Sequence, residues 1–352
     1  MKKIYLPLLA TLVLAGCTQS ELSESPVNAG VELKFKSTAL AVDAGTRAPF
    51  EGTEGTALKP LVTKVLVKTG ADYGTLYNAA DTKITFADVN PTGFAVTKYY
   101  YPATGTSVNI CGLYPYEGVA PNAAAWTING ALGEAYFTFN GSHDVMAAPQ
   151  VTSSKADVQA ATPTYPTLAF KHLLTLLKVH VVAATDAAIT AWGKITKIEL
   201  VNANSGVSTG VAPLSRATVN LTAGTAATGT FATGLNPFPF YTVSGGTVYD
   251  ETAFTGQTLD LTTTSTLAAY SLVAPVTADG TEDFVLKVYA QNAPAGGVSV
   301  PIGLLTTGGA TYSGDTQGKA FTITLTFKAT EITPKASVTA WDNGGKSDPE
   351  IK

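Results

Sequence analysis

Three consecutive residues, Ser142-His143-Asp144, carry the side-chain types of a hydrolytic triad: a nucleophile, a general base and a carboxylate to orient the base. Adjacent side chains on one backbone diverge, so the run reads as a loop with a partly exposed histidine. A second hydrolase signal is Gly206-Val207-Ser208-Thr209-Gly210, which has the five-residue spacing of a nucleophile elbow. That motif needs a buried strand before the serine and a helix after it. Here Val211-Ala212-Pro213-Leu214-Ser215 follows, which opens no helix, and the segment reads as a turn. His172 and His180 could share a strand face, but the strand rise puts them roughly 26 Å apart, too far for one metal. Local hydrogen bonds are expected to satisfy both. Asp279-Gly280-Thr281-Glu282-Asp283 is rich in carboxylates but lacks the alternating ligand series of a calcium loop, and reads as an acidic surface turn. Gly314 to Lys319 lacks the glycine spacing and the hydroxyl of a phosphate loop. No coherent acid, base, nucleophile or metal set emerges, so the reading is non-enzymatic and no cofactor is expected.

Different chemistry is written at the N-terminus. Lys2 and Lys3 precede an apolar run from Ile4 to Val13, and Leu14-Ala15-Gly16-Cys17 follows as a lipobox. The run is too short to span a bilayer and ends in small residues before a cysteine, so residues 1–17 read as a lipoprotein signal peptide, with the mature chain starting at an acylated Cys17. Residues 18–30 are polar, as a tether between a lipid anchor and a folded body would be. The other cysteine, Cys111, lies in Val108-Asn109-Ile110-Cys111-Gly112-Leu113-Tyr114 and reads as a small packed hydrophobe, leaving the fold without a disulfide. Tyr99-Tyr100-Tyr101, Tyr114, Tyr116 and Trp126 offer another use, since aromatic faces stack on sugar rings, although aromatic strands more often pack cores.

The elements that must position these residues are strands. The chain has 352 residues with 22 Lys+Arg against 26 Asp+Glu, only 14% charged, so no basic footprint exists for a nucleic acid. A 45% hydrophobic content closes a real core, and the length suggests about two domains. The 53 Thr, with 33 Gly and 19 Pro, lean towards antiparallel β-structure joined by turns. Val31, Leu33 and Phe35 alternate with Glu32, Lys34 and Lys36, predicting a first strand over residues 31–42, followed by the Gly- and Pro-containing loop Asp43 to Pro49. Further strands are predicted at Leu61–Lys68, Lys83–Val89, Phe94–Tyr101, Ser107–Tyr114, Ala135–Phe139, Lys194–Val201, Ala268–Val273, Phe284–Ala290, Val298–Leu304 and Ala320–Lys328. Leu168 to Val182 fits a helix through Leu173, Leu177 and Val181, yet its Val-rich end and upstream prolines favour one long strand opening a second domain. The boundary is placed near Thr164, giving an N-terminal domain over 31–164 and a C-terminal one over 165–352. Short strands with Gly/Pro turns and no βαβ rhythm point to an all-β fold of two sandwiches.

Several segments together resemble the fimbrillin family, the type V pilins of anaerobic Gram-negative bacteria. They are the lipobox, Tyr99-Tyr100-Tyr101-Pro102 leading into Cys111-Gly112-Leu113-Tyr114-Pro115, His143-Asp144-Val145-Met146-Ala147, Phe170-Lys171-His172, and Phe321 to Phe327 before Ala336-Ser337-Val338-Thr339-Ala340-Trp341. One position departs from the pattern: an aromatic is expected where His143 stands. The resemblance implies two tandem transthyretin-like Greek-key β-sandwich domains and an outer-membrane lipoprotein precursor. It also implies cleavage by an arginine-specific protease at Arg47-Ala48, and polymerisation with neighbouring pilin subunits by strand exchange into a surface fimbrium for adhesion and biofilm formation. A cut there would detach the first strand and open a sheet edge, which a segment from the next subunit could fill by β-augmentation. The expected donor is the C-terminal segment 332–352, with Ile332, Val338, Ala340 and Trp341 as its apolar residues. Arg47 and Arg216 are the only arginines, which makes a selective cut feasible. A host or bacterial surface receptor would be the partner of the finished fibre. The alternative reading is a surface glycan-binding lipoprotein, or a fimbrial tip adhesin.

Overall fold

A computed structural model describes residues 30–37, 61–70, 73, 83–86, 94–115, 126–203, 215–226, 238–244, 248–280 and 283–339. In the first half these form β1 (Glu32–Ser37), β2 (Leu61–Lys68), β3 (Lys83–Phe86), β4 (Phe94–Tyr100), β5 (Val108–Tyr114), β6 (Thr127–Asn129), β7 (Glu134–Phe139) and β8 (Met146–Ser153). Helix α1 (Lys155–Gln159) follows. It starts on a capping box, in which the Ser154 hydroxyl accepts from the Asp157 amide while the Asp157 carboxylate accepts from the Ser154 amide. Next come β9 (Thr167–Leu168), β10 (Lys171–His172), β11 (Thr175–Ala183) and the helix α2 (Asp186–Trp192). The rest of the second half comprises β12 (Ile195–Ala203), β13 (Ser215–Asn220), β14 (Thr225–Ala226), β15 (Phe238–Pro239), β16 (Tyr241–Ser244), β17 (Val248–Ala253) and β18 (Thr255–Leu259). It closes with β19 (Thr266–Val273), β20 (Thr277–Ala278), β21 (Phe284–Ala290), β22 (Val298–Ile302), β23 (Gly314–Asp315), β24 (Ala320–Phe327) and β25 (Ile332–Thr339).

The fold is all-β and sandwich-like. In the first half a three-stranded sheet, β4-β1-β9, lies against a five-stranded sheet, β10-β8-β5-β2-β3. Leu33 and Phe35 of β1 meet Val65 and Val67 of β2, Ile110 of β5 and Met146 of β8 in one buried cluster. The opposite face of the five-stranded sheet is buried too: Leu66, Cys111, Leu113 and Ala147 join a larger core with Trp126, Phe137 and Phe139. Burial on both faces explains why β2 and β5 are near-continuous apolar runs rather than alternating ones.

In the second half the six-stranded sheet β17-β16-β19-β11-β24-β25 faces β15-β12-β21-β22, which also carries β18 on β12. Val179, Val181, Ile323, Leu325 and Phe327 point into the space that Ile198, Leu200, Leu286 and Val288 fill from the other side. α2, whose Thr185 hydroxyl accepts from the Ala188 amide, closes one end, with Trp192 set edge-on to Phe327 at 5.5 Å.

The strands predicted at 61–68 and 284–290 lie where their patterns put them, and those predicted at 107–114 and 320–328 are each one residue shorter, at 108–114 and 320–327. The single strand expected over 168–182 is instead three, because this stretch must leave β1's sheet at β9, reach β8's sheet at β10 and only then enter the second sandwich as β11. The expected boundary near Thr164 falls in this connector, but β13 of the second half pairs antiparallel with β7 of the first along its whole length, from Ser215↔Phe139 to Asn220↔Glu134.

Candidate functional site

Ser142, His143 and Asp144 lie in the approach to β8, and their side chains go to different partners. The Ser142 hydroxyl contacts His143 Nδ1, and both gather on the Asn140 side-chain oxygen, the hydroxyl donating at 2.9 Å. Asp144 turns away to His172 Nδ1, 2.7 Å off on β10. The expectation of diverging neighbours fails for Ser142 and His143, which touch, and the partly exposed histidine is in fact 3% exposed. His172 is held by a distant residue rather than by local bonds, and only long-range pairing could reveal that. Asp144 faces His172 instead of His143, so the nucleophile, base and orienter of a triad are not in line.

The acidic turn also resolves into a structural role. Asp283 is 0% exposed, and its carboxylate accepts from the backbone amides of Asp279, Gly280 and Leu304 at 2.8–3.2 Å, which ties two loops together. It is a buried loop anchor where a surface turn was expected. Cys111 is buried as expected, and its thiol is pushed up to about 12, chiefly by burial. Of the aromatic group, Tyr101 and Trp126 are core residues. The Tyr101 hydroxyl shares a 2.8 Å bond with Ser153, and the Trp126 indole donates to the Pro115 carbonyl at 2.9 Å. Tyr100, at 43% exposed, stands outside that core, so the described aromatics do not assemble into one sugar platform. Residues 206–210 and Tyr116 lie outside the described residues, as do Cys17, Arg47, Ala48, Ala340 and Trp341.

What remains is the seat of the first strand. β1 is the middle of three strands: antiparallel to β4 (Glu32↔Tyr100, Lys34↔Ala95, Phe35↔Phe94), with a register irregularity after Glu32, and parallel to β9 (Lys36↔Thr167, Ser37↔Leu168). The Tyr101 amide donates to the Val31 carbonyl at 2.8 Å. Leu33 and Phe35 are both 0% exposed. Burial of two such side chains stabilises the first sandwich by roughly 1.5–3 kcal/mol each. Beneath them Gly112 makes room: a Cβ there would lie 2.5 Å from Phe170 Cζ, so glycine lets the Phe170 ring approach β5 closely. Without β1, this apolar floor would be uncovered and β4 and β9 would each lose their shared partner.

Period-2 patterning reveals β1 itself, but it misses β9, a two-residue strand whose only signal is the preceding Pro166. Of the residues expected to act as donor, Ile332 and Val338 lie in β25, which pairs antiparallel with β24 from Phe327↔Ile332 to Ala320↔Thr339. Among the described residues the donor segment is therefore a strand of its own subunit's second sandwich.

No family model matches the chain, and no curated protein matches it. Among solved structures, a protein named for cell adhesion from Bacteroides uniformis is 17% identical, with a TM-score of 0.49, over 90% of this chain and 100% of that one. A fimbrial protein from Bacteroides vulgatus is 12% identical, with a TM-score of 0.47, over 88% and 99% of the two chains. A fimbrial assembly protein from Parabacteroides distasonis is 12% identical, with a TM-score of 0.38, over 88% and 98%.

Proposed function

We propose that this chain is a structural, non-enzymatic subunit of a surface fimbrium. In this reading it is exported as an outer-membrane lipoprotein acylated at Cys17, cut after Arg47, and joined head to tail with copies of itself by strand exchange, in the service of adhesion. Its two sandwiches are read as transthyretin-like Greek keys, as the fimbrillin resemblance implies.

The observation that carries the reading is the seat of β1. A strand whose Leu33 and Phe35 are wholly buried is joined to β2 only through residues 38–60, which contain Arg47. A cut there would leave β1 held by non-covalent contacts alone, and its loss would expose both an apolar floor and two sets of backbone donors and acceptors. A strand from another subunit with apolar residues at alternate positions restores both. Since donor and seat lie at different places on the molecule, the contact does not close on itself and propagates. The only other arginine, Arg216, sits in β13 opposite Thr138, where ladder hydrogen bonds hold the backbone away from a protease cleft.

The test is an arginine-specific protease acting on the purified protein, with Arg47→Ala as control. The expected result is a single cut, release of the N-terminal piece and a ladder of polymers seen by electron microscopy and gel electrophoresis. A cut protein that stays monomeric, or an Arg47→Ala variant that polymerises as readily, overturns the reading.

A further inference from the structure

A seat that gives up one strand and takes another must tell strands apart, and the entry to the β1 seat holds a residue that can do so. Tyr100, the last residue of β4, stands opposite Glu32, so both side chains lie on the solvent face while Leu33 and Phe35 point into the core. From there the Tyr100 ring reaches diagonally to Gly30, just ahead of β1. A Cβ on Gly30 would lie 2.7 Å from Tyr100 Cδ1, 2.8 Å from its Cγ and 3.0 Å from its Cβ. These atoms sit at the root of the side chain, so a small shift of the ring tip does not clear them and the whole ring must swing out. Gly30 is not among the glycines with positive φ, so its backbone suits any residue and the tyrosine alone excludes a side chain there. The bond from the Tyr101 amide to the Val31 carbonyl, at 2.8 Å, holds the two strands in this register. The ring therefore covers position 30 only when that residue is glycine, as aromatic side chains do for glycines on a neighbouring strand.

We propose that Tyr100 is the selectivity gate of the β1 seat. With its ring across the entry, the seat holds a strand that carries glycine at that point and apolar residues three and five positions later, as Gly30, Leu33 and Phe35 do. The competing strand comes from a second copy of the chain, so the inference rests on the strand-exchange reading. The segment expected as donor, 332–352, has glycine only at 344 and 345, followed at the matching positions by Ser347 and Pro349, and by Asp348 and Glu350. Run in the direction of β1, it cannot fill the seat beneath a closed ring. Tyr100 thus retains β1 in the uncut subunit and admits another strand only after swinging aside, which biases the seat against premature exchange.

The contact is tested by a thermal-melting cycle on the uncut chain with Gly30→Val, Tyr100→Ala and the two combined. Valine suits a strand better than glycine, so a loss on Gly30→Val comes from the ring. The expected result is a midpoint lowered by several degrees when Tyr100 is present and unchanged in the Tyr100→Ala background; equal losses in the two backgrounds overturn the proposal. The gate is tested by cutting the full chain with an arginine-specific protease and following release of the N-terminal piece and growth of polymers. Tyr100→Ala should hasten both by about fivefold, while Tyr100→Phe, which keeps the ring, should match the unmodified chain. A Tyr100→Ala variant no faster than the unmodified chain, or a Tyr100→Phe variant as fast as Tyr100→Ala, overturns the gate. An unmodified chain that releases its piece and stays monomeric overturns strand exchange instead, and the release rates still decide whether Tyr100 holds β1.

Discussion

At the scale of single residues, Phe35 is one of the two fully buried anchors of the first strand, with Leu33. Phe35→Ala removes a fully buried ring from a closed core, and the expected cost is about 3–5 kcal/mol in chemical denaturation of the uncut protein. A loss below about 1 kcal/mol would mean that the seat is loosely packed and that β1 is not a structural plug. Cys111 gives a prediction in pH. Burial raises its thiol pKa to about 12, so the folded state holds the proton more tightly than the unfolded chain. The stability from this group is complete below the ordinary thiol range near 8.5 and falls as the pH rises from there towards 12. The folded protein should therefore resist a thiol reagent at pH 8 and react fully once unfolded in denaturant. Rapid native labelling would contradict the buried placement. The run from Val108 to Tyr114 was enough to place Cys111 inside, because its neighbours are apolar. The partner of Asp144 was out of reach of such reasoning, since His172 approaches it only through the pairing of β10 with β8.

Among the elements, β25 poses a question about edges. It ends the six-stranded sheet, and an exposed edge strand is an invitation to unwanted pairing. The Val338 amide points away from β24, donating to the Leu305 carbonyl at 2.9 Å. Amides alternate along an antiparallel strand, so position 334 also presents its nitrogen outwards, and a proline there has no N–H to offer. Lys335 adds an exposed charge beside it. Replacing both, as Pro334→Val/Lys335→Val, should open the edge and produce concentration-dependent association in sedimentation velocity without any cut at Arg47. A monomeric double variant would show that the edge is protected by something else. Strands of this kind were legible where one face is wet: Phe321, Ile323, Leu325 and Phe327 alternate with Thr322, Thr324 and Thr326. β8 was not legible, because it is Ala-rich and carries Pro149. Its register slips where Ile110 meets Val151 and Gly112 meets Ala148, which leaves Pro149 and Gln150 in a bulge that leans on the second half through the Gln150 amide and the Thr222 carbonyl. The partner made that strand, and a partner that is distant in the chain leaves no local pattern.

For the whole molecule, the seam between the halves decides whether a boundary near Thr164 separates two independent bodies. The segment after β7 crosses onto β19: the Leu272 amide donates to the Gly141 carbonyl at 2.8 Å, the Tyr270 hydroxyl to the Ser142 carbonyl at 3.1 Å and the Tyr241 hydroxyl to the Asn140 carbonyl at 2.8 Å. The β7-β13 ladder and the buried Asp144–His172 contact add to it, and one continuous core cluster takes residues from both halves. Each neutral hydrogen bond contributes only about 1 kcal/mol, but a shared ladder and a shared core make opening of one half expose surface of the other. A subunit that receives a strand in its first half and gives one from its second must pass any pull through this seam, so coupling of the halves suits a fibre. Calorimetry of the uncut chain should therefore show one unfolding transition. Thr218→Pro places a residue without an N–H in the middle of β13, where Thr218 faces Tyr136, and should split that transition in two or lower its midpoint by several degrees. Two resolved transitions in the unmodified chain would show that the halves unfold independently. In that case the ladder joining them carries no cooperativity, and the load path through the subunit would have to run along the connector at residues 165–175 alone.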